Sequence, residues 1–414
     1  MSARIPLLWC GLLAWTLGCA PAEEPLPAEA APIALDSEAL PGGRLEMIDG
    51  TAVLYLYGSA EERAYAEGYL RAESILGTFV EFAFSPFIAP KPIVWDTAFL
   101  PRIRASFLFD DSVKAWAKGV QKGMKAKLGD KMTLKDLGRD FSVDDLLASC
   151  CIPDLRGLLC SSFVAWDDRS REDAHLIGRN LDYLGTPKMT AGTMVIVHAP
   201  LGQKNGWVSI GWAGMAGCLT GISDQGVSVA VHDVYTKARP GKHKFTPRVL
   251  AVQEIIETAK PQLALGKSLG EKLGQLEFAV GCNLMVSWRS AQQTGACVIE
   301  FDSSNEVGKH ATVRASNRSF VVCSNHHRLR SDKGHDCNRF ASLMKGKSLS
   351  GAKSLDFAEA WKLIESASNK LTIYRNVIDL ESGRFELDRR RVPRGPYAKR
   401  SRFNIKKLLA AAKL

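Results

Sequence analysis

The residues best suited to chemistry are a cysteine and a charged pair that follows it. Cys160 begins an apolar run that ends at Trp166, and after an acidic turn a second run ends in the letters GRNLD at positions 178–182. If the two runs pair as a β-hairpin, Arg179 and Asp182 return beside the cysteine. We therefore expect a thiol, a guanidinium and a carboxylate in one cluster.

Such a cluster has a chemical rationale. A thiol attacks as its thiolate, and an adjacent guanidinium lowers the thiol pKa. If the chain is cut before Cys160, the new α-amino group, with an ordinary pKa of about 7.7–8.0, can accept the proton of its own thiol. A carboxylate can orient that amine, and an asparagine side chain can hydrogen-bond an oxyanion. These residue types favour attack on an acyl group.

The hairpin resembles that of the cysteine N-terminal-nucleophile (Ntn) hydrolases. These include isopenicillin N acyltransferases, the acid ceramidase and N-acylethanolamine acid amidase group, bile salt hydrolases and penicillin V acylases. The resemblance implies that Cys160 is the nucleophile, that Arg179 binds and activates, and that Asp182 orients the α-amine. It also implies autoproteolysis between Leu159 and Cys160. The implied fold is α+β, a four-layer αββα sandwich preceded by a mainly helical N-terminal region.

Further segments resemble the family in the same order along the chain. Residues 214–223 resemble a G-x-x-G-x-L-T-G-x-N segment, residues 323–327 a T-N-H-F segment and residues 338–340 an S-R-F segment. The last two likenesses imply Asn325 as an oxyanion donor and Arg339 as a second active-site arginine.

Two positions depart from the family pattern. Leu159 stands where self-cleaving relatives often have glycine, so cleavage before Cys160 could be slow, need a protease or not occur. His232 ends a strand, before Asp233, where relatives commonly have asparagine, and we expect His232 to bind substrate instead. Trp212 is the second expected substrate contact, because a tryptophan-lined pocket would accept an acyl chain.

Each of these residues also has a purely structural interpretation. Cys160 could be a buried thiol or one half of a disulfide, since eight cysteines follow position 20 and spacing does not assign their pairs. Arg179 and Asp182 could form an ordinary ion pair at a strand end. Asn325 could cap a turn.

A second group of cysteine and histidine residues offers ligands that zinc uses. Its spacing fits no zinc pattern, and a disulfide between Cys323 and Cys337 is a competing explanation. We therefore predict no metal and no cofactor. The group consists of Cys323, His326, His327, His335 and Cys337.

The N-terminus has the pattern of an export signal. An apolar run over residues 7–17 is too short to span a bilayer, and the letters LGCA at positions 17–20 resemble a bacterial lipoprotein box. We expect residues 1–19 to be a signal peptide with Cys19 lipidated, and plain secretion is the alternative. Residues 20–45 would then form a flexible linker. The expected location is the bacterial periplasm or outer membrane.

The composition indicates an ordinary globular protein. The 414 residues are 46% hydrophobic and 24% charged, enough for one large or two medium domains. The net charge of +10 equals the charge of residues 389–414, which hold ten basic residues and no acidic one. We expect a basic C-terminal tail, solvated or lying on an anionic membrane, and no nucleic-acid binding.

The elements that must position the site follow from local patterns. A capping box at Ser59–Glu62 predicts a helix start, Thr246 is the expected N-cap of a second helix, and Ser354–Ser366 is a third. Runs of β-branched and aromatic residues predict strands, and their hairpin-like grouping favours α+β layers. The strands are predicted at 52–57, 161–166, 194–198, 207–212, 227–232, 283–287, 296–301, 319–323, 371–380 and 384–387.

The sequence thus predicts a helical region over residues 46–159 and a catalytic region over residues 160–414. The predicted function is an exported cysteine amidohydrolase or acyltransferase that acts on a linear N-acyl amide through an acyl-thioester on Cys160. Its expected partners are a small N-acyl substrate and a membrane reached through the lipid anchor, and the cleaved fragments are expected to remain associated. The alternative is a catalytically inactive lipoprotein scaffold or binding module of the same fold.

Overall fold

The computed structural model describes residues 38–85, 88–89, 91–155, 157, 159–236, 244–302, 310–316, 318–330, 337–348 and 354–412. The expected signal peptide, with Cys19, and most of the expected linker lie outside the described residues. Within the described ranges, no helix is both long and apolar enough to cross a membrane.

Strands and helices are interspersed along the chain. The strands are β1 (Glu38–Leu40), β2 (Gly43–Ile48), β3 (Thr51–Gly58), β4 (Thr133–Leu134), β5 (Arg139–Asp140), β6 (Leu159–Ala165), β7 (Leu176–Asp182), β8 (Met194–Pro200), β9 (Trp207–Gly211), β10 (Thr220–Ser223), β11 (Val227–Val234), β12 (Gly281–Arg289), β13 (Thr294–Phe301), β14 (Ala311–Ala315), β15 (Phe320–Cys323), β16 (Thr372–Asp379), β17 (Arg384–Arg389) and β18 (Ser401–Asn404). The helices are α1 (Ala60–Ala83), α2 (Pro92–Val94), α3 (Leu100–Ser106), α4 (Asp111–Leu128), α5 (Val143–Leu155), α6 (Pro187–Ala191), α7 (Arg248–Thr258), α8 (Leu265–Gly274), α9 (Asn338–Met344), α10 (Phe357–Ser366) and α11 (Ile405–Ala411).

Two large sheets organise the described part of the chain. One has the order β1-β2-β3-β8-β9-β10-β11-β12-β13-β14, and the smaller one has the order β15-β6-β7-β16-β17-β18. Neighbouring strands run antiparallel, except that β3 and β8 are parallel. This pattern of hairpins with few parallel pairs is that of an α+β protein.

The two sheets face each other, and helices cover their outer sides. Strand β11 packs on β6 and β13 packs on β15, while α1, α7 and α8 lie on the large sheet and α9 and α10 lie on the small one. The four-layer αββα sandwich predicted from the sequence is therefore confirmed. Because both faces of the inner strands are covered, strands such as β11 are buried along their whole length.

Helix α1 begins at the predicted capping box. The Ser59 hydroxyl accepts the Glu62 N–H, and the Glu62 carboxylate accepts the Ser59 N–H. The helix then packs along α4. Gly68 and Gly123 lie where a Cβ would collide with the backbone of the facing helix, so these glycines permit the close approach.

Two predictions about segments outside the core are wrong. Residues 38–45, expected in the linker, contain β1 and the start of β2, which with β3 extend the large sheet ahead of the mainly helical stretch from α1 to α5. The expected C-terminal tail is also folded, because it contributes β18 and α11. Its apolar residues alternate with the basic ones and are buried: Phe403, Ile405, Leu408 and Leu409.

Two helix starts are displaced from the predicted positions. Helix α7 begins at Arg248, so Pro247 rather than Thr246 is the N-cap residue. The Thr246 N–H instead bonds the Glu277 carbonyl at 2.8 Å. Helix α10 begins after Asp356, whose side chain forms a capping box that was not among the predicted helix starts.

Candidate active site

The Cys160 hairpin is formed as the sequence predicts. Strands β6 and β7 pair with Leu159 opposite Asp182, Cys160 opposite Leu181 and Ser162 opposite Arg179. Side chains along each strand point alternately to the two faces of the sheet. The register therefore decides which side chains of β6 and β7 are neighbours. The hairpin therefore brings the guanidinium and the carboxylate to the end of the sheet that holds the cysteine.

The glycine of the GRNLD run has a packing role. Gly178 lies opposite Phe163 in the register of β6 and β7. A Cβ at Gly178 would penetrate the Phe163 ring, which fills the space beside the strand. The glycine thus allows the Phe163 ring to pack across the hairpin, in the apolar cluster that includes Phe320 and Trp361.

Arg179 contacts the thiol directly. Its side chain is fully buried, and Nη2 lies 3.4 Å from Cys160 Sγ and 2.8 Å from the Val231 carbonyl. Burial raises the pKa of the Cys160 thiol to about 11, and the Arg179 charge opposes part of that rise. In the uncut chain the thiol is therefore protonated at neutral pH.

Asn325 accepts a hydrogen bond from the backbone nitrogen of Cys160. The Cys160 N–H donates to Asn325 Oδ1 at 2.6 Å, and Asn325 Nδ2 donates to the Asp233 carbonyl at 2.8 Å. The predicted role was donation to an oxyanion. In the uncut chain the amide instead presents its oxygen to Cys160, while its NH2 group contacts the next strand.

Arg339 connects the parts of the site. Its Nη1 donates to the Cys160 carbonyl at 2.8 Å and to Asp182 Oδ2 at 2.9 Å, and its Nη2 donates to Asn325 Oδ1 at 2.9 Å. A planar guanidinium can reach all three oxygens at once. Asp182 is thus connected to Cys160 through the hydrogen bonds of Arg339.

Asp182 is held by two residues that the sequence patterns did not reveal. Thr372 Oγ1 donates to Oδ1 at 2.6 Å, and Asn369 Nδ2 donates to Oδ2 at 2.9 Å. Burial raises the pKa of Asp182, and these hydrogen bonds and Arg339 counter the rise. Thr372 begins β16, which pairs with β7, and Asn369 lies three residues before it, so only the strand pairing reveals them.

Tyr374 is a further residue that the sequence patterns did not reveal. Its hydroxyl is buried, lies 2.8 Å from Thr220 Oγ1 and lies near the charge of Arg179. Burial raises the pKa of Tyr374 to about 12, and the Arg179 charge opposes part of that rise, so the phenol stays neutral.

His232 does not lie where a substrate contact would be expected. Its ring is completely buried between the sheets, with Nε2 2.7 Å from Ser162 Oγ and Nδ1 3.1 Å from the Ala230 carbonyl. Burial and the nearby Arg179 hold the pKa of His232 well below its usual range, so the ring is neutral. His232 thus lies between the two sheets, and this position does not favour the predicted contact between His232 and substrate.

Trp212 does line a cavity. The cavity is small, about 70 Å³, and adjoins the hairpin, because Tyr183, directly after Asp182, forms part of its wall. Trp212 is fixed by a hydrogen bond from Nε1 to the Met189 carbonyl at 2.6 Å. The lining is almost entirely apolar and includes Ile75, Phe79, Phe82, Phe141, Ile152 and Leu219.

The cysteine and histidine group contains one thiol, Cys337, with a lowered pKa. Among the described residues, no three His, Cys, Asp or Glu side chains are arranged to hold a metal ion, and His335 lies outside them. Cys323 and Cys337 are free thiols, so the disulfide considered above is not formed. Burial raises the pKa of Cys337, but hydrogen bonds from His326 and Ser324 outweigh it and lower the pKa to about 6.

Comparison with known proteins gives distant similarities. No model of a known family matches the chain. The protein dcd1B of Dictyostelium discoideum is 24% identical over 181 residues, which cover 42% of this chain and 36% of that protein. The chain thus spans about a third of the length of the curated relative that it matches.

Two solved structures with partly similar folds are those of hydrolysing enzymes. An N-acylethanolamine-hydrolysing acid amidase ortholog of Caenorhabditis elegans is 18% identical with a TM-score of 0.39, covering 59% of this chain and 100% of that one. A variant of conjugated bile acid hydrolase from Clostridium perfringens is 12% identical with a TM-score of 0.43, covering 60% and 94%. Both are named as hydrolysing enzymes.

Proposed function

We propose that this chain is an exported cysteine amidohydrolase or acyltransferase that cuts itself before Cys160 and then acts on a linear N-acyl amide. The observation that carries the proposal is that each reactive atom of Cys160 has its own partner. The thiol contacts Arg179, the nitrogen contacts Asn325 and the carbonyl contacts Arg339. A buried cysteine with a purely structural role does not need the guanidinium beside its thiol, and its backbone groups do not need to be paired by active-site side chains.

Self-cleavage follows from this arrangement by an acyl shift. The Cys160 sulfur attacks the Leu159 carbonyl carbon, the C–N bond breaks, and the thiol proton passes to the departing nitrogen. Water then hydrolyses the thioester, which leaves a Leu159 carboxylate, a free thiol and an α-amino group. Asn325 Oδ1, already on the Cys160 nitrogen, would hold the new ammonium, and Arg339 would steady the Cys160 carbonyl.

Turnover uses the same atoms in a second role. The α-amine takes the thiol proton, Sγ attacks the substrate carbonyl, and the protonated amine then gives its proton to the leaving amine. The acyl-thioester on Cys160 is resolved by water in hydrolysis or by another amine in transfer. Arg179 stabilises the thiolate, and Asp182 holds Arg339 in place.

The cavity beside the hairpin indicates the acyl side of the substrate. Its wall of aromatic and aliphatic side chains would bind an apolar acyl group of a small N-acyl amide. Trp212 would pack against that group, with its indole N–H already bonded to Met189.

The two fragments would remain together after cleavage. Strands β2 and β3 precede the cut, and β3 pairs with β8, which follows it, along six residue pairs. Helix α1 also packs on the large sheet. We propose, further, that Cys19 carries the lipid that anchors the protein in the periplasm or at the outer membrane.

The test is replacement of the nucleophile, with a matched thiol as control. Cys160→Ala should yield one uncut chain without amidase activity on N-acyl substrates. Cys297→Ala, which removes a buried thiol facing α8, should cut itself and turn over normally. Full activity of Cys160→Ala would refute the proposal.

A catalytically inactive scaffold is the second candidate. It is favoured by Leu159 before the cysteine and by a thiol whose burial holds it protonated. In that case a denaturing gel of the purified protein would show one band, and Cys160 would not react with thiol reagents.

A further inference from the structure

A second buried ion cluster adjoins the site on the side of the segment that precedes the cut. Arg248, the first residue of α7, is fully buried between two carboxylates. Its Nε lies 2.9 Å from Asp154 Oδ1 and its Nη1 lies 2.9 Å from Asp233 Oδ1. Nη1 also donates to the Gly281 carbonyl at 2.8 Å, and Nη2 donates to the Pro153 carbonyl.

Asp154 pairs with the Arg248 charge and also accepts a backbone hydrogen bond at the start of α7. It lies at the end of α5, and its Oδ2 accepts the backbone N–H of Arg248 at 3.3 Å. It therefore supplies the acceptor at the start of α7 that Pro247 cannot supply, and a carboxylate is favourable at that end of a helix. Asp154 thus fixes the end of α5 to α7 through both side-chain and backbone groups.

The cluster is joined to the scissile bond by a short series of contacts. The Asp233 carbonyl accepts Asn325 Nδ2 at 2.8 Å, and Asn325 Oδ1 accepts the Cys160 N–H at 2.6 Å. Asp154 is only six residues before Cys160 in the sequence. Asp154 and Cys160, the residues on either side of the segment 155–159, thus both contact this group of side chains.

We propose that Arg248 is a positioning residue for the Leu159–Cys160 bond: by tying Asp154 to Asp233, it holds this bond beside the thiol. The inference rests on the proposed self-cleavage.

The decisive experiment measures the segment itself in a chain that cannot cut itself. In the Cys160→Ala background, Asp154→Asn keeps the size of the side chain and removes its charge. Brief digestion with trypsin, which cuts after Arg156, should nick residues 155–159 at least about tenfold faster than in Cys160→Ala alone. Arg248→Lys is the second variant, because one ammonium does not replace a guanidinium that bridges two carboxylates.

The same substitutions are then placed in the chain with its cysteine intact. Asp154→Asn and Arg248→Lys should slow self-cleavage at least about tenfold, since small misplacements of reacting atoms have large effects on rate. Glu254→Gln is the matched control, because it removes an exposed α7 ion pair with Lys272. Near-ultraviolet circular dichroism verifies that each variant is folded.

The outcomes separate this inference from the proposed function. Nicking confined to residues 155–159, together with slow self-cleavage, supports Arg248 as a positioning residue. Nicking of Asp154→Asn and Arg248→Lys at the control rate overturns it, and so does an unchanged rate of self-cleavage. A chain with all wild-type residues that never cuts itself contradicts the proposed function, and the trypsin measurement still decides the role of Arg248.

Discussion

Replacing Arg339 should break the hydrogen bonds that connect Cys160, Asp182 and Asn325. Arg339 bonds the Cys160 carbonyl at 2.8 Å and both Asp182 and Asn325 at 2.9 Å. Arg339→Lys keeps the positive charge but loses the planar group that reaches three oxygens in different directions. We expect the lysine to retain the contact with Asp182 and to lose at least one of the others.

The magnitude follows from the hydrogen bonds that a lysine cannot make and from the exposure of the side chain. A hydrogen bond to a charged group contributes about 1.5–3 kcal/mol. The Arg339 side chain is 18% exposed, so water replaces part of the loss, and Asp182 keeps Thr372 and Asn369 as partners. We expect the free energy of unfolding to fall by about 2 kcal/mol. Self-cleavage should slow about 100-fold, because Arg339 fixes the Cys160 carbonyl and the Asn325 amide that accepts the N–H of the scissile bond.

Two assays check these values. Urea unfolding in the Cys160→Ala background gives the free energy of unfolding of uncut chains, and timed denaturing gels of freshly made protein give the cleavage rate. Arg328→Lys is the control, since Arg328 stacks its guanidinium on Phe340 beside the site. If Arg339→Lys matches that control in both assays, Arg339 does not connect the site as described.

Three further predictions concern packing, thiol reactivity and substrate size. Gly178→Ala should lower the free energy of urea unfolding by about 1–3 kcal/mol, because its Cβ would collide with Phe163; an unchanged value would contradict the packing role. Iodoacetamide should label Cys337 with a midpoint near pH 6, because its pKa is lowered to about 6 and the thiolate, present above that pH, is the reactive form. A midpoint near pH 9 would show that its partners do not lower the pKa, and Cys337→Ser is the control. Thr78→Phe narrows the apolar cavity and should reduce kcat/KM at least about tenfold for the longest N-acyl chains while sparing short ones; equal losses for all chains would mean that the acyl group binds elsewhere.

The hairpin could be predicted from the sequence because its determinants are local. Cys160, Arg179 and Asp182 lie within one strand–turn–strand unit, where alternation and a turn define the register. The same holds for α1, whose capping box is four consecutive residues. Asn325 and Arg339 are far along the chain, and only the resemblance to a family pointed to them.

Other parts of the site depend on contacts between distant strands. Asn369 and Thr372 meet Asp182 across more than 180 residues of chain. Tyr374 reaches Arg179 because β16 pairs with β7. Buried polar residues on a strand have no local signature, so strand order must be known before such partners can be found. The Asp154–Arg248 pair is of the same kind.

The C-terminal segment shows how charge alone misleads. Its ten basic residues indicated a solvated tail, but several of them are tied into the fold. Arg389 Nε donates to Thr51 Oγ1 at 3.0 Å, and Arg400 Nε donates to Asp388 Oδ1 at 2.8 Å. Long basic side chains cover apolar surface while their charged ends find acceptors. A segment can therefore be strongly basic and still form a strand and a helix.

The most direct measurement of the central proposal is the intact mass and N-terminal sequence of the purified protein. We predict two polypeptides, one of which begins Cys160-Ser161-Ser162, and a single uncut polypeptide for Cys160→Ala. A wild-type chain that remains whole, with the Leu159–Cys160 bond intact after prolonged incubation, would contradict the account.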